Sequence, residues 1–270
     1  MNWIFLNKNN IDEYIIMLAH GAGVDPTCLE TWNYEDSNAP LVLRGIMKHK
    51  IIKRCWEDKR LFWYMDSGYL GNRPNPQNLN GWKYWHRIVP NNLQHDAVIP
   101  RPADRWQKLA IKTRPYQKIG RNILIVAPDE KPCAFYDITL DDWMKTTIDT
   151  IKQHTDRPIV IRERPASRLA RKTQTAEEWL TDVHAVVTFN STAATESILA
   201  GVPVFVTAPC NAARPVSNLD LTKIETPWFP SDDERHAWAC HLAYGQFHTT
   251  ELASGAAIRI LKETQEIMNV

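Results

Sequence analysis

The stretch VVTFNSTAATESILAGVPVFV, residues 186–206, decides the fold that the sequence predicts. Two apolar runs flank a short polar step and a segment of helix-forming residues that closes at Gly201. Short continuous apolar runs are typical of strands buried on both faces, as in parallel sheets. The stretch therefore predicts a strand, a helix and a second strand, with Asn190, Ser191 and Thr192 where the first strand gives way to the helix.

The alternation of strands and helices extends outward from this stretch. NILIVAP (122–128) and PIVIRERP (158–165) read as strands. TLDDWMKTTIDTIKQH (139–154) places apolar residues at helical spacing behind Thr139, a favourable N-cap residue. AEEWLTD reads as a short helix, and residues 234–269 as two more. Alternating strands and helices with short connections predict a parallel α/β sheet.

The first 120 residues carry a weaker pattern. WIFLN, APLVLRG and RLFWYMDSGY are candidate strands, with a helix across 45–57 between the last two. Residues 71–100 are rich in Pro and Asn and read as ordered loop. We therefore predict two α/β lobes, a small one with long loops over residues 1–120 and a clearer one over residues 121–270.

Composition limits the class of protein. The chain has 270 residues, of which 44% are hydrophobic, so it can bury a sizeable core. No apolar run approaches the roughly 20 residues of a membrane span, and the polar N-terminus argues against a signal peptide. Five cysteines without CxxC spacing argue against a disulfide framework or a zinc site. We expect a soluble protein of the reducing cytoplasm.

Charge is distributed unevenly along the chain. Residues 1–120 hold 17 Lys and Arg against 11 Asp and Glu, and residues 121–270 hold 15 against 20, giving +6 and −5. This asymmetry suggests two lobes with different partners. The densest basic stretch, RGIMKHKIIKRCWEDKR (44–60), is either a solvated helix face or a footprint for a polyanion.

Two strand ends carry groups suited to an anion, because ligands of open parallel sheets bind outside the carboxyl ends of the strands. Asn190, Ser191 and Thr192 stand at one such end, where hydroxyls and the first N–H groups of a helix could bind phosphate. Arg162 and Arg164 share a face at the other, and guanidinium groups suit phosphate. We predict a phosphate ester or diphosphate ligand, with an ordinary N-cap as the alternative reading of Ser191 or Asn190.

Glu196 follows Ser191 by five residues, too far into the helix for a capping box. A carboxylate at this position could accept hydrogen bonds from the vicinal hydroxyls of a ribose or sugar whose phosphate lies at the helix start. An ordinary surface glutamate is the alternative. No GxGxxG or GxxxxGK loop is present, which disfavours a classical dinucleotide or P-loop site.

STAATESILAGVPVFV resembles the donor-binding element of GT-B-type glycosyltransferases, in which a small-residue helix carries a Glu followed by A-x-G-x-P-V. HAVVTFNSTAATE is also similar to the corresponding element of capsule Kdo transferases. The resemblance covers about residues 158–206, and FNST stands where many members have a Gly-rich turn. It implies a GT-B-like α/β fold of two Rossmann-like lobes, the N-terminal one reduced because the chain is short.

The resemblance also implies roles by position. Glu196 would hold the ribose, Ser191 and Thr192 the phosphate, and Arg162 and Arg164 the diphosphate. The implied reaction moves a sugar from a nucleotide-sugar donor, bound by the 121–270 lobe, to an acceptor hydroxyl. No cofactor beyond the donor substrate is implied.

The first lobe should then supply the acceptor side and a general base, which must be a carboxylate or histidine within hydrogen-bond reach of the acceptor hydroxyl. Asp66 ends a predicted strand in WYMDSGYLGN and is the first candidate. His20 and Asp25, in HGAGVDP, are the second and third. A turn-capping aspartate or a hydrogen-bonded histidine is the plain alternative for each.

Aromatic residues alternate with cations in the first lobe, and the cations Lys53, Arg54, Arg60 and Arg87 are predicted to bind the acceptor. Such interleaving suits bases stacked along a phosphate backbone, or sugar rings stacked on aromatic faces. The acceptor is accordingly a nucleic acid or a polysaccharide. By analogy of class, phage enzymes that glycosylate modified DNA bases reach their target by base flipping, and a phage enzyme would act in the host cytoplasm.

Two other functions are compatible with these features. A nucleotide-sugar epimerase would need no macromolecular acceptor, and a non-enzymatic nucleic-acid-binding protein would bind DNA with a steep salt dependence. No metal is predicted, because there is no DxD motif and the pairs at 141–142 and 232–233 stand at helix starts. The arginines would neutralise the leaving diphosphate instead.

Overall fold

The computed structural model describes residues 3–46, 49–71, 84–117, 120–162 and 176–268, and the structural statements below concern these residues. Their strands and longer helices, in chain order, are β1 (Ile4–Asn7), α1 (Glu13–Gly21), β2 (Thr27–Cys28), β3 (Leu41–Arg44), α2 (His49–Glu57), β4 (Phe62–Ser67), β5 (Trp85–Pro90), α3 (Asp104–Leu109), β6 (Asn122–Val126), α4 (Glu130–Phe135), α5 (Leu140–His154), β7 (Ile159–Arg162), α6 (Ala176–Trp179), β8 (Val183–Thr188), α7 (Ala193–Leu199), β9 (Val204–Val206), α8 (Asp232–Tyr244), β10 (Gln246–His248), α9 (Thr249–Ala253) and α10 (Ala256–Met268).

These elements form two compact units, each with its own sheet. Unit 1 contains the described residues up to Leu93 and those from Ala243 onward, and unit 2 contains those from Gln94 to Leu242. Both units combine parallel strands with helices, so the predicted α/β fold of two Rossmann-like lobes is confirmed.

The sheet of unit 1 has the order β10-β5-β4-β3-β1-β2. Strands β1 to β4 are parallel, and β5 joins antiparallel to β4. A hydrophobic core covers one face, where Ile15 and Leu18 of α1 pack with Trp63 of β4 and Leu261 of α10. Helix α1 begins behind Asp12, whose carboxylate accepts a hydrogen bond from the Ile15 N–H.

Helix α1 ends where the backbone of α9 comes very close. A Cβ on Gly21 would lie 2.1 Å from the carbonyl oxygen of Leu252, and a Cβ on Gly255 would lie 2.4 Å from the carbonyl oxygen of Gly21. The two glycines therefore allow the backbones of these segments to approach each other closely.

Unit 2 has the parallel sheet β7-β6-β8-β9. The continuous apolar run of β6 is buried, as expected for a central parallel strand. Helix α5 begins as predicted, because the Thr139 hydroxyl accepts a hydrogen bond from the Asp142 N–H. Helix α7 connects β8 to β9 and is followed by Gly201, which has a φ of 79°.

Four features differ from the sequence prediction. Strand β5 lies within the segment read as loop over 71–100, and β10 lies within the segment read as helical over 234–269. Helix α1 was not predicted. The division near residue 120 differs from that of the structure, because β10 pairs with β5 and so brings the end of the chain into unit 1.

The difference in net charge between the two predicted lobes disappears when charges are counted for units 1 and 2 instead. Residues 1–93 and 243–270 together hold 13 Lys and Arg against 12 Asp and Glu, and residues 94–242 hold 19 against 19. The inference of a basic lobe beside an acidic lobe was therefore wrong. It came from placing the boundary about 27 residues too late and from leaving the acidic C-terminal segment in the wrong lobe.

Among the described residues, every helix is too short or too polar to cross a lipid bilayer.

Candidate functional site

The carboxyl edge of the sheet in unit 2 contains a topological switch point. Strand β6 lies between β7 and β8, and the chain runs from β6 to β7 on one side but from β8 to β9 on the other. Val126 is in register with Arg162 and with Thr188, so the three strands end in one row. Open α/β sheets bind ligands outside such a row. The candidate site is formed by the loops that follow Val126 and Thr188.

The four predicted donor-binding residues that follow β8 are the accessible part of that segment. Asn190, Ser191, Thr192 and Glu196 are half-buried, whereas the other residues of α7 are buried. Thr192 and Glu196 are four residues apart, so they share one face of the helix. Two hydroxyls, an amide and a carboxylate are thus accessible beside the switch point.

The first N–H groups of α7 are used within the protein, contrary to the prediction that they are open to an anion. The Ala193 N–H donates to Ser191 Oγ at 3.2 Å, the Ala194 N–H to the Ser191 carbonyl at 3.2 Å, and the Thr195 N–H to the Thr192 carbonyl at 3.0 Å. The Ser191 hydroxyl therefore holds the turn that leads into α7, whereas Thr192, the N-cap residue, makes no side-chain capping bond. The Ser191 hydroxyl hydrogen can still be donated to a ligand.

Arg162 is oriented by an aromatic ring. Its guanidinium carbon lies 4.6 Å from the centre of the Trp179 ring, at the end of α6. Stacking of this kind holds the planar cation in one orientation. Arg164, predicted as the second member of the diphosphate clamp, lies outside the described residues.

Gln94 joins two loops of the carboxyl edge, and the sequence did not single it out. Its side-chain N–H donates to the Asn190 carbonyl at 2.7 Å, and its side-chain oxygen accepts from the Ala212 N–H at 3.0 Å. Its own carbonyl accepts from the Cys210 thiol at 3.3 Å. Gln94 is 3% exposed, so these bonds are made in the interior of unit 2.

Asp96 is a second residue that sequence reasoning missed. It follows Gln94 by two positions and is half-buried. Burial raises the pKa of Tyr136, and the nearby Cys210 thiol and the Asp96 carboxylate raise it further. The Tyr136 ring packs edge-on against Phe189, 5.4 Å between centres, directly before Asn190. The Asp96 carboxylate thus acts on the pKa of a tyrosine that packs beside the loop after β8, and the triplet QHD within a Pro- and Asn-rich segment was the signal available for it.

Asp66, the first candidate for the base, lies in unit 1 at the end of β4 within a dense hydrogen-bond network. It accepts from the Tyr64 hydroxyl at 2.9 Å, from the Ser67 N–H at 2.7 Å and from Arg87 at 3.2 Å. Burial raises the pKa of Asp66, but the Arg87 guanidinium, the Ser67 N–H and the Tyr64 hydroxyl outweigh it and hold the pKa below its usual range. A lowered pKa makes a carboxylate a weaker proton acceptor.

His20 and Asp25, the other two candidates, lie together on the surface of unit 1. The His20 Nε2 atom is 3.8 Å from the nearer Asp25 oxygen, and their side chains are 58% and 98% exposed. The structure brings this pair together, at a distance too long for a hydrogen bond.

The four cations predicted to bind the acceptor have different surroundings. Arg60 is buried and donates to the carbonyl oxygens of Tyr34 and Ala39. Arg87 is buried and donates to the Ser67 and Leu93 carbonyls as well as to Asp66. Both guanidinium groups therefore donate to acceptors inside unit 1. Their assignment to the acceptor substrate stays a prediction.

The remaining two cations lie on α2. Arg54 pairs with Glu35 and Asp58 and stacks over the Tyr34 ring. Lys53 is half-buried. Positive charge at this helix is therefore partly neutralised by neighbouring carboxylates.

No group of three or more His, Cys, Asp or Glu side chains in the described part of the chain is arranged to hold a metal ion.

No family model and no curated protein matches the chain. Two solved structures from Thermosulfurimonas dismutans are similar to it. One is KpsC, beta Kdo 2,4 transferase, with 11% identity and a TM-score of 0.48 over 88% of this chain and 98% of that one. The other is KpsC, beta Kdo 2,7 transferase, with 12% identity and a TM-score of 0.44 over 95% and 99%. Both of these structural neighbours are named as Kdo transferases.

Proposed function

We propose that the protein is a glycosyltransferase that binds a nucleotide-sugar donor at the carboxyl edge of β6 and β8. One observation carries the proposal: Asn190, Ser191, Thr192 and Glu196 are the accessible residues of an otherwise buried segment at a topological switch point. Hydroxyl and amide groups suit the phosphate oxygens, and the Glu196 carboxylate suits the ribose hydroxyls.

The charge of the diphosphate would be met by arginine. Arg162 ends the strand beside β6 and is stacked on Trp179, so its fork is oriented before a ligand arrives. We propose that no divalent metal is needed for transfer. Activity lost in EDTA and restored by Mg²⁺ or Mn²⁺ would contradict this part of the proposal.

A carbohydrate acceptor agrees with unit 1 better than DNA does. Arg60 and Arg87 are occupied inside the unit, Arg54 is paired with two carboxylates, and the unit as a whole is close to neutral. Binding of duplex DNA depends on several cations that release counterions from phosphates. Tight DNA binding with a steep salt dependence would move the acceptor back to nucleic acid.

For the general base, we propose Asp96 as a candidate in addition to Asp66. Asp96 belongs to the same unit as the donor residues, whereas Asp66 has a structural role as the partner of buried Arg87. Replacing the base should lower turnover by about 10²- to 10⁴-fold while donor binding is kept. Asp96→Asn and Asp66→Asn, each measured for turnover and for donor affinity, decide between the two carboxylates.

Thermal shift with a panel of nucleoside diphosphates and nucleotide sugars tests the proposed function. A ligand at about 100 times its Kd adds about 2.7 kcal/mol to the free energy of unfolding. Glu196→Ala should weaken binding of the best ligand by about tenfold or more, since hydrogen bonds to a charged group contribute about 1.5–3 kcal/mol. Glu266→Ala, at an exposed position of α10, is the matched control and should bind as the wild type does. A panel without any stabilising nucleotide would refute the donor site.

A further inference from the structure

We propose that Gln94 is a positioning residue of the donor site, one that fixes the loop after β8 in the shape that a nucleotide requires. The inference rests on the proposed function, because it concerns the loop that carries Asn190, Ser191 and Thr192. Gln94 itself touches no part of the donor. It acts through the backbone of that loop.

The geometry is that of a bridge between two loops. One end of the Gln94 amide donates to the Asn190 carbonyl at 2.7 Å, and the other end accepts from the Ala212 N–H at 3.0 Å, in the loop after β9. A parallel connection comes from Asn211, whose amide N–H donates to the Phe189 carbonyl at 3.5 Å. The Phe189 carbonyl also accepts from the Ala208 N–H at 3.3 Å, and of these three bonds to the loop after β8 the one from Gln94 is the shortest. It is therefore the strongest constraint of the three.

The bridge controls the residues that would contact the ligand. Asn190 precedes Ser191, whose hydroxyl holds the turn that leads into α7 and whose carbonyl accepts the Ala194 N–H. A change in the Asn190 peptide therefore alters the placement of the Ser191 and Thr192 hydroxyls. Gln94 is buried, so a substitution that removes its N–H leaves the Asn190 carbonyl without this donor.

Gln94 also anchors the segment of chain that carries Asp96. Gln94 makes three hydrogen bonds, two through its side chain and one through its carbonyl to Cys210, and Asp96 follows two residues later. A single buried amide thus sets the position of the donor loop and anchors the segment that carries a candidate base. A merely structural glutamine would be expected to affect stability alone.

Gln117 provides a matched control in the same unit. Its side-chain N–H donates to the Leu180 carbonyl at 3.3 Å and to the Val183 carbonyl at 3.1 Å, near the amino end of β8. Gln94 and Gln117 therefore both fasten the chain next to one strand, at its opposite ends. Gln→Met keeps the length of the side chain and adds no charge near a phosphate.

The test compares Gln94→Met with Gln117→Met by amide hydrogen exchange of the ligand-free proteins. We expect Gln94→Met to speed exchange of the Ala193, Ala194 and Thr195 amides by about tenfold, while Gln117→Met leaves them within about twofold of wild type. Unchanged exchange in Gln94→Met, or equal acceleration in both variants, overturns the proposal. Should Gln94→Met not fold, the same measurement is made on the isosteric Gln94→Glu. This variant removes the N–H that donates to Asn190 and keeps the oxygen that accepts from Ala212.

Titration then separates this inference from the proposed function. The probe is whichever of ADP, CDP, GDP and UDP stabilises the wild type most. The Kd should rise about tenfold in Gln94→Met and stay within about twofold in Gln117→Met. Wild type that binds no nucleotide refutes the proposed function, and the exchange result still decides whether Gln94 fixes the loop. Faster exchange with an unchanged Kd refutes the positioning role.

Discussion

At the scale of single residues, Asp66 shows how one carboxylate can be read as catalytic in sequence and as structural in three dimensions. Its position at the end of a predicted strand made it the first candidate for the base. In the fold it is the acidic partner of Arg87, a residue 8% exposed whose other donors bond backbone carbonyls. An aspartate that is paired with an arginine has a lowered pKa. A general base works best when its pKa lies near the pH of the reaction.

The lowered pKa of Asp66 predicts a pH-dependent stability. A carboxyl group whose folded pKa lies below its unfolded value of 3.8 stabilises the fold above that pH, and this contribution is lost as the pH falls through the folded pKa. Asp66→Asn should therefore be less stable than wild type at pH 7, by about 1–3 kcal/mol. Urea unfolding from pH 7 down to pH 3 should show the difference shrinking below about pH 4. A difference that stays constant would mean that Asp66 is not held by Arg87.

His241 gives a second prediction at the residue scale. Unlike Asp66, it becomes charged rather than neutral when it binds a proton. Burial, together with the charge of Arg101, lowers the pKa of His241 to about 4. The unfolded state, with a pKa near 6.5, then binds a proton that the folded state refuses, so stability falls as the pH drops from about 6.5 to about 4. The shift corresponds to at most about 3 kcal/mol.

His241→Asn is the variant that tests this, because asparagine can keep the bond that His241 Nδ1 accepts from the Ile99 N–H. Between pH 6.5 and 4 the variant should lose less stability than wild type in urea unfolding. Parallel stability curves over that interval would show that His241 is not neutral in the folded protein.

At the scale of elements, the close approach of α1 to the turn between α9 and α10 can be tested with two glycines of unit 1. Gly255 has a φ of 77° and would place a Cβ 2.4 Å from the Gly21 carbonyl oxygen, whereas Gly23 has a φ of 76° and open space around it. Gly23→Ala therefore measures backbone strain alone, about 1–2 kcal/mol. Gly255→Ala should cost about 1–3 kcal/mol more, because the helices must separate. Equal urea midpoints for the two variants would contradict the contact.

The elements of unit 2 could be predicted because their signals are local. Thr139 at an N-cap, the apolar run of β6 and Gly201 after α7 each specify structure within a few residues. Strand β10 could not be predicted from such signals. Its three residues pair with β5 from more than 150 positions away, and Trp85 to Pro90 themselves lie beside a Pro- and Asn-rich stretch.

The candidate site divides in the same way. The accessible face of α7 followed from the helical period, so Thr192 and Glu196 could be named from the sequence. The internal bonds of the first α7 amides involve the hydroxyl and the carbonyl of Ser191, for which the sequence offered an ordinary N-cap only as an alternative. The roles of Gln94, Arg60 and Arg87 depend on bonds to backbone N–H and carbonyl groups between 6 and 118 positions away, and no motif encodes these.

At the scale of the whole molecule, the two units differ in sheet and in chemistry. Unit 2 has a parallel sheet, and the residues predicted to bind the sugar donor follow β8 at its switch point. Unit 1 has a mixed sheet to which the C-terminal segment adds β10. The nearly neutral charge of each unit removes the electrostatic reason for a polyanionic partner. The proposed function therefore depends on whether unit 2 binds a nucleotide sugar.

Hydrogen exchange of the wild-type protein, with and without a saturating nucleotide sugar, tests that claim most directly, because it reports where the ligand binds as well as whether it binds. We predict slower exchange in the loop after β6, residues 127–129, and in residues 189–197, which follow β8. Protection that leaves both segments unchanged, or no protection at saturation by any nucleotide sugar, would contradict it.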